Sequence, residues 1–485
     1  MLKYGMTFIF RSKEFQTMPK LDKNMFREYD IRGIADGTDL SPEIMELIGK
    51  AYGTFLYKHG KNRTVVGHDT RMTSESFAKA MIKGVLSTGI EVYDVGMVTS
   101  PMMYWSQYYL DSDGGVMITA SHNPPEWNGV KLALGRSYTL IGDELLAIRD
   151  YVEEGNFKMG NGRYEKKDIL DAYKEDIVKR VHTKRSLRVV VDCTNGAGSK
   201  SIPAIYRAAG FDVVEQYCDA NGKFPYHAPD PSMLDFMESI GKRVLAEKAD
   251  LGLAFDGDAD RLGMVDDTGE AIWPDRYMIL LSRSVLEKNP GAKIIFDVKC
   301  SQALEEDIVA HGGIPIMWKT GHSHIKAKLH QENAPLAGEM SGHIFFGGGQ
   351  YYGFDDATFS GLKLLEYLSG DKRKVSEIFA QAPYYVSTPT IHVACADEVK
   401  YRVVEKLTND FEALKGKGDV LEVITINGAR VKMPGGWGLV RASSNLPVLV
   451  LRMEAKTEVR LEEIKNYFRK MFEKYPEIAK KWENE

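Results

Sequence analysis

Three times along this chain an apolar stretch ends in a polar loop dense with chemistry-bearing side chains: TASHNP from Thr119, DGDADR from Asp256 and GEMSGH from Gly338. That recurrence constrains the fold more than any other feature. A strand buried on both faces must be apolar throughout, and side chains gathered just past its carboxyl end lie where open parallel sheets bind ligands. The local patterns agree. Thr64–Val66, Ile90–Val95 and Gly115–Ile118 read as strands. Between them, Ser74 is placed to cap a helix carrying Phe77, Met81, Ile82, Val85 and Leu86, and Ser100-Pro101 opens another. Leu187–Val191 with Leu251–Phe255, then Ile294–Phe296 with Ile314–Met317 and a helix from about Gln302, repeat the alternation. Strand–helix alternation implies parallel sheets.

The last hundred or so residues differ. Asn427-Gly428 between Asp419–Ile426 and Ala429–Met433 is a hairpin signal. Val448–Met453 is a further strand, and Val459–Tyr475 is an amphipathic helix on Leu461, Ile464, Phe468 and Phe472. The expected architecture is therefore three related α/β domains with mixed, mainly parallel sheets and a C-terminal α+β domain. Their spans are 20–175 with the serine loop, 176–276 with the acidic loop, 277–388 with GEMSGH and 389–485 with RASSNLP. A length of 485 residues suits three or four domains. The charged stretch Glu153–Arg185 joins the first two, and the first twenty residues read as an extension without an assigned role.

A net charge of −5, from 63 basic and 68 acidic residues, gives no basic field for nucleic acid. An anionic ligand must meet local cations instead. Four scattered cysteines without CxxC spacing indicate neither a zinc site nor a disulfide framework, and favour a reduced, cytoplasmic setting. The amino terminus lacks the apolar core of a secretory leader, and no stretch is long enough to span a membrane.

Asp256, Asp258 and Asp260 follow an apolar strand directly. Carboxylates so close repel unless a cation lies among them, and all-oxygen donors suit Mg2+. An EF-hand loop would need Gly and Glu where Arg261 and Asp267 stand. Ser121, read alone, is more readily a turn serine than a catalytic one, and its surroundings are not the G-x-S-x-G of a hydrolase elbow. Lys131 adds a cation to the same loop system. Glu339, Ser341 and His343 alternate, so a strand-like backbone would aim all three one way, a set fit to grip sugar hydroxyls, or the stretch is an ordinary glycine-flanked turn with a satisfied histidine. Arg441 with the hydroxyls and backbone of RASSNLP suits a phosphate, or is a polar hairpin turn. Arg32, Lys299, His322 and His324 are lone signals.

Taken in order, EYDIRG, TASHNPPEWNGVK, FPYHAPDP, DGDADR, GEMSGH and RASSNLP closely resemble the α-D-phosphohexomutase family, in its phosphomannomutase/phosphoglucomutase branch. The resemblance spans nearly the whole chain. It implies a TATA-binding-protein-like fourth domain and a single cleft shared by all four. Ser121 then matches the family's phosphoserine, and Asp256, Asp258 and Asp260 its Mg2+ ligands, with the serine phosphate as the fourth contact. Glu339, Ser341 and His343 match the sugar-hydroxyl loop. Arg441, Ser443, Ser444 and Asn445 match the distal-phosphate loop, here Ser-Ser-Asn where the branch often has Ser-Asn-Thr. Arg32, Lys131, Arg261, Lys299 and His322 match cleft residues, and Lys131, His122, His322 and Arg32 stay open as the proton-transfer group. The implied reaction interconverts hexose 1- and 6-phosphates, of mannose or glucose, through a hexose 1,6-bisphosphate. Met340 stands where the phosphoglucosamine mutases usually carry Gln, which makes that activity the second choice. A sugar phosphatase and a silent phosphosugar-binding protein are more distant rivals. The expected partner is a small phosphosugar, with no nucleic acid or membrane and a monomer or weak homo-oligomer.

Overall fold

The computed structural model describes residues 21–37, 39–444 and 446–483. The N-terminal extension and Asn445 lie outside the described residues. Four sheets follow one another along the chain. The first contains β1 (Ile31–Ile34), β2 (Arg63–His68), β3 (Glu91–Met97), β4 (Gly114–Ile118), β5 (Trp127–Leu134) and β6 (Tyr164–Lys166), in the order β1-β5-β4-β2-β3-β6. The second contains β7 (Arg188–Asp192), β8 (Asp212–Gln216), β9 (Leu251–Phe255), β10 (Leu262–Val265) and β11 (Ala271–Ile272), in the order β11-β10-β9-β7-β8. The third contains β12 (Lys293–Asp297), β13 (Ile314–Trp318), β14 (Leu336–Gly338) and β15 (Ile344–Phe346), in the order β13-β12-β14-β15.

One four-strand unit recurs in all three. A central strand, β2, β7 or β12, has parallel neighbours on both sides. The second neighbour, β4, β9 or β14, turns back into an antiparallel partner, β5, β10 or β15. The three polar loops occupy this same turn. The repeat visible in the sequence as a pattern is thus a repeat of topology. β4 and β9 are buried along their whole length, which is why they read as unbroken apolar runs.

The fourth sheet is antiparallel throughout. It contains β16 (Val386–Ser387), β17 (Ile391–Ala394), β18 (Glu422–Ile424), β19 (Ala429–Met433), β20 (Gly436–Ala442), β21 (Val448–Ala455) and β22 (Trp482–Glu483). Helices Asp397–Leu414 and Glu458–Phe472 bury Val403, Leu407, Phe411, Ile464 and Phe468 against it. The divisions expected at 175/176 and 276/277 fall inside helices Leu170–Val178 and Pro274–Lys288. Strand β16, before the division at 388/389, pairs with β21 of the fourth sheet.

Three local expectations change. Ser74 is the first helical residue and not the cap, which is Thr73. Its hydroxyl donates instead to Asp69 Oδ1 at 2.5 Å. Lys131 lies on β5, opposite Met117 of β4, and not on the loop. Glu339 to His343 is a tight turn, with Gly342 N donating to Glu339 O, so no strand alternation aligns its three side chains.

One apolar core runs without a break through the first three units, from Val65 to Ala382. The fourth unit has its own core and meets the third through a small cluster, Val298, Trp437 and Leu439. Buried arginines add polar contacts to that junction, as does Gln302 N, which donates to Glu454 Oε1 at 2.9 Å. Arg430 Nη1 donates to Val298 O and Cys300 O, both at 2.7 Å. Arg452 Nη1 donates to Lys299 O at 2.6 Å, and its Nη2 pairs with buried Asp275 at 2.9 Å. Removing one member of a buried ion pair leaves the other charge uncompensated, at about 3–5 kcal/mol. Arg452→Met is therefore expected to destabilise the molecule by about that amount in chemical denaturation. Adding Asp275→Asn should recover part of the loss.

Candidate active site

The loop after β4 is held in an unusual conformation. Ser121 adopts φ +50°, the left-handed region that a residue with a Cβ rarely occupies. Such strain costs about 1–3 kcal/mol and needs support from its surroundings. Arg71 supplies it. The fully buried guanidinium donates to the carbonyls of Ser121 (2.9 Å), Asn123 (2.6 Å), Pro124 (2.6 Å) and Trp127 (3.0 Å), while Asp69 balances its charge at 3.3 Å. Arg32 Nη1 adds bonds to Ala120 O (3.1 Å) and Asn123 Oδ1 (2.6 Å), and its Nε pairs with Asp30 at 2.7 Å.

So positioned, the Ser121 hydroxyl donates to Asp256 Oδ2 at 2.6 Å and lies 3.1 Å from His122 Nδ1. In a hydrolase triad the carboxylate orients the histidine, and the histidine touches the serine. Here the carboxylate touches the serine itself and belongs to the acidic loop. The two loops approach so closely that a Cβ on Gly257 would meet Ser121 O at 2.5 Å.

Asp256, Asp258 and Asp260 are fully buried, with ligand atoms within 4.8 Å of one another. Lys131 Nζ bridges two of them, at 2.8 Å from Asp258 Oδ2 and 2.6 Å from Asp260 Oδ2. Ser100 Oγ also donates to Asp258 Oδ2 at 2.6 Å. Burial first, then the charges of Asp260 and Asp258, push the Asp256 carboxyl well above its ordinary range. Burial opposes the charge of Asp258 too, but Lys131 overrides it and holds that carboxyl low. Burial likewise works against the Lys131 ammonium, yet Asp258 and Asp260 hold it well above the usual lysine range. Lys131 thus serves two of the three acids directly, and the charge of Arg261 acts on the third. Asp258 Oδ1 and Asp260 Oδ1 remain buried without a hydrogen-bond partner among the described residues. All-oxygen donors with orphaned atoms fit a hard divalent cation.

Around this centre stand Arg261 and two histidines. Arg261 Nε donates to His343 Nε2 at 3.1 Å, and His343 Nδ1 lies 3.5 Å from Asp260 Oδ1. The rings of His322 and His343 stack with centroids 5.3 Å apart. Burial, then Arg261, holds the His122 imidazole well below its ordinary range, and burial does the same to His322. Glu339 Oε1 accepts from Gly321 N at 2.6 Å, just before the helix that His322 opens, while its buried Oε2 has no partner among the described residues. Burial raises the Glu339 pKa. Ser341 is half-buried beside it, and Lys299 Nζ is 3.7 Å from Asp297 Oδ2.

The fourth unit contributes from the turn between β20 and β21. Arg441 is oriented by Asn427 Oδ1 at 2.8 Å, and Ser443 Oγ accepts from Leu446 N at 3.2 Å. Ser444 lies beside Glu28 of the first unit, which accepts from His324 of the third at 2.7 Å. The His324 bond chiefly, with help from Ser444, pulls Glu28 down to about 2. Asn445 is outside the described residues. The structure therefore joins Ser121, His122, Arg32, Lys131, the three aspartates, Arg261, His322 and His343 in one buried cluster. Glu339 and Lys299 flank it on the third unit, and Arg441, Ser443 and Ser444 stand apart on the fourth. Sequence reasoning missed Arg71, Ser100, Glu28 and Asp355, whose Oδ2 lies 3.0 Å from His343 Nδ1 and 3.6 Å from His322 Nδ1. The adjacent acids of GFDDA were the one available signal for the last of these.

A Cβ at residue 257 would force the serine and acidic loops apart, and overpacking of this kind costs about 1–3 kcal/mol. If the triad takes up a divalent cation, Gly257→Ala is expected to weaken its binding about tenfold, measured by calorimetry, with the fold intact by circular dichroism.

Comparison with known proteins agrees with this geometry along the chain. Models of the phosphoglucomutase/phosphomannomutase family match in succession: alpha/beta/alpha domain I over 23–159, domain II over 170–269, domain III over 273–385 and the C-terminal domain over 393–471. A phosphomannomutase/phosphoglucomutase of Pseudomonas aeruginosa is 43% identical over 451 residues, 93% of this chain and 96% of that protein. A phosphoglucomutase of Neisseria gonorrhoeae is 40% identical over 464 residues, 95% and 99% of the two chains. The crystal structure of a phosphoglucomutase/phosphomannomutase family protein from Burkholderia thailandensis superposes with a TM-score of 0.87 at 37% identity, over 94% of this chain and 98% of that one. The chain with its serine loop packed on a buried acidic triad is a member of the phosphoglucomutase/phosphomannomutase family, that is, an α-D-phosphohexomutase.

Proposed function

We propose that the protein is an isomerase that interconverts hexose 1-phosphate and hexose 6-phosphate, of glucose and mannose, with Ser121 as the phosphoryl carrier. The single observation that carries this reading is the Ser121 hydroxyl at 2.6 Å from Asp256, inside a buried triad of acids. A phosphoryl group on that oxygen would enter a cage built for a cation. Mg2+ held by Asp256, Asp258, Asp260 and the serine phosphate would screen charge there.

The need for screening follows from Coulomb's law. A serine phosphate and a sugar phosphate each carry about −1.5 to −2 charges near neutral pH. Each pair of unit charges about 4 Å apart repels by about 4 kcal/mol at an effective dielectric of 20. Lys131, Arg261 and Lys299 are the chain's own cations against that repulsion, and fixed cations are what phosphoryl transfer chiefly requires. The sugar hydroxyl attacks the phosphorus of phosphoserine 121 and gives up its proton to a neutral imidazole, His122 or His322, while the bond from phosphorus to Ser121 Oγ breaks and that oxygen takes up a proton. The hexose 1,6-bisphosphate then turns over, and its other phosphate returns to the serine. His122, with Nδ1 3.1 Å from Ser121 Oγ, is within hydrogen-bond reach to shuttle the serine proton. Glu339 and His343 hold sugar hydroxyls, with Ser341 beside them. Arg441, Ser443, Ser444 and Asn445 grip whichever phosphate is not reacting, so one clamp serves both ends of the sugar.

Glucosamine phosphate is the second reading, and one observation disfavours it. Met340, at the position where that activity usually has Gln, packs its side chain against the apolar core, and its backbone N donates to Asp297 Oδ1 at 3.2 Å. Coupled assays with mannose, glucose and glucosamine 1-phosphates are expected to show turnover of the first two, and a large preference for the third would reverse the choice. Intact-mass analysis should find one phosphate, lost in Ser121→Ala along with activity. Full activity in that variant, or stoichiometric release of inorganic phosphate during turnover, would remove the mutase mechanism. Hydrogen exchange over residues 435–447 is expected to slow when glucose 1-phosphate binds, because the clamp loop gains a ligand.

A further inference from the structure

The four cysteines are scattered along the chain, but two of them meet. Cys193 follows β7, Cys218 follows β8, and their Sγ atoms lie 3.1 Å apart. A regular ladder would keep them separate. β7 and β8 run parallel with Asp192 opposite Gln216, and Cys193 N extends the ladder by donating to Gln216 O at 3.2 Å. Side chains alternate along a strand, so residues 193 and 218 would point to opposite faces of the sheet. Tyr217 breaks the alternation. Its φ of +45° turns the chain and carries the Cys218 thiol to its counterpart. Thr194 and Asn195, at +54° and +56°, bend the other chain in the same way. A metal would need a third ligand, and among the described residues no side chain completes a set with these two thiols.

Each thiol opens a segment that reaches the candidate active site. From Cys193 the chain runs into Thr194, whose hydroxyl donates to Phe255 O, and Ala197, whose N donates to Gly257 O at 2.9 Å. That segment backs the acidic loop. From Cys218 the chain runs to Gly222, where a Cβ would collide with the backbone of Thr70 and Arg71, and to Phe224, whose ring lies 5.1 Å from the Arg71 guanidinium. This second segment backs the arginine that fixes Ser121. Asn195 Nδ2 donates to Asp219 O at 2.7 Å and Asn221 N to Asn195 O at 2.8 Å, so the two segments are tied together. Cys193 is fully buried and Cys218 half-buried. Burial, then the contact with Cys218, holds the Cys193 thiol well above its ordinary range. The more accessible Cys218 therefore meets an oxidant first.

We propose that Cys193 and Cys218 form a modification site, an intramolecular disulfide made by hydrogen peroxide, whose closure pulls on both segments and slows the enzyme. The Cys218 thiol releases its proton, and the thiolate attacks one peroxide oxygen. The O–O bond breaks, the other oxygen leaves as hydroxide, and the released proton makes it water. Cys218 is then a sulfenic acid. Cys193 Sγ attacks Cys218 Sγ, the S–O bond breaks, and the hydroxyl leaves with the Cys193 proton as a second water. The two sulfurs lose two electrons and the peroxide gains them. In closing, the sulfurs move from 3.1 Å to about 2.05 Å apart. The kinetic consequence rests on the mutase reading, but the bond itself does not.

Treatment with hydrogen peroxide, followed by alkylation of the denatured protein, tests it. Peptide mass analysis should find Cys193 joined to Cys218 with the loss of two hydrogens, and the buried Cys300 and Cys395 alkylated as free thiols. A misplacement of about 1 Å can cost about 10²-fold in rate. The oxidised protein should therefore lose more than about fivefold in kcat with glucose 1-phosphate, and dithiothreitol should restore it. Hydrogen exchange over residues 194–197 and 255–260 should differ between the two forms. Cys218→Ser should keep the wild-type kcat and resist peroxide. Absence of the linked peptide, or Cys218 carried to the sulfinic acid in its place, would overturn the inference. So would a linked protein whose kcat stays within about fivefold of the reduced form, or equal inactivation of Cys218→Ser by peroxide. If that variant does not fold, the linked peptide of the wild type and its reversal by dithiothreitol decide. If reduced wild-type protein turns over no hexose phosphate, the mutase reading fails, while the linked peptide and the exchange data still judge the cysteine pair.

Discussion

Three dehydrated carboxylates and one lysine hold the centre of this molecule together. Asp256, Asp258 and Asp260 come from the second unit and Lys131 from the first, so neutralising the acids also joins the units. An unpaired buried charge costs several kcal/mol. The lysine cannot be withdrawn without that penalty, and it still leaves the acids short of positive charge. The orphaned oxygens of Asp258 and Asp260 express that shortage as a site. Proximity follows from the same contact, because Gly257 lets the acidic loop touch the backbone of Ser121.

The surrounding architecture divides the labour. A single strand plan, repeated three times, presents three loops at equivalent turns, and each has a different chemistry: a hydroxyl, a set of acids, and a mixed glutamate–serine–histidine turn. Because one continuous core binds the three units, these loops are held in fixed relation. Preorganised charges of this kind stabilise a transition state without reorganising during the reaction. The fourth unit is attached differently, through a small apolar patch and two buried arginines on the Lys299 loop. A separate core suits the role proposed for that unit's loop, a phosphate clamp for a substrate held at either end.

Much of the fold was legible because burial on both faces writes itself into a strand as an unbroken apolar run. The polar loops were legible because three acids in five residues, or a serine and histidine between a strand and two prolines, have few purposes. The errors were local. Lys131 looked like a loop residue because strand β5 begins sooner than its polar start, Trp127-Asn128, suggests. The apparent alternation of Glu339, Ser341 and His343 came from a turn in which Glu339 N bonds to His343 O. Arg71 was passed over because its value lies in four carbonyls some fifty residues away.

The chain by itself determined which side chains would do chemistry, their order, and the alternation of strand and helix that carries them. Those properties depend on residue type and short-range period, and each is complete within a dozen neighbours. Only the tertiary structure decided who meets whom: Lys131 with Asp258 and Asp260, Ser121 with Asp256, Asp355 with two histidines, and Glu28 with the clamp loop. Charge pairing inside a protein acts over a few ångströms through a medium of low polarisability, and distance along a sequence carries no record of it.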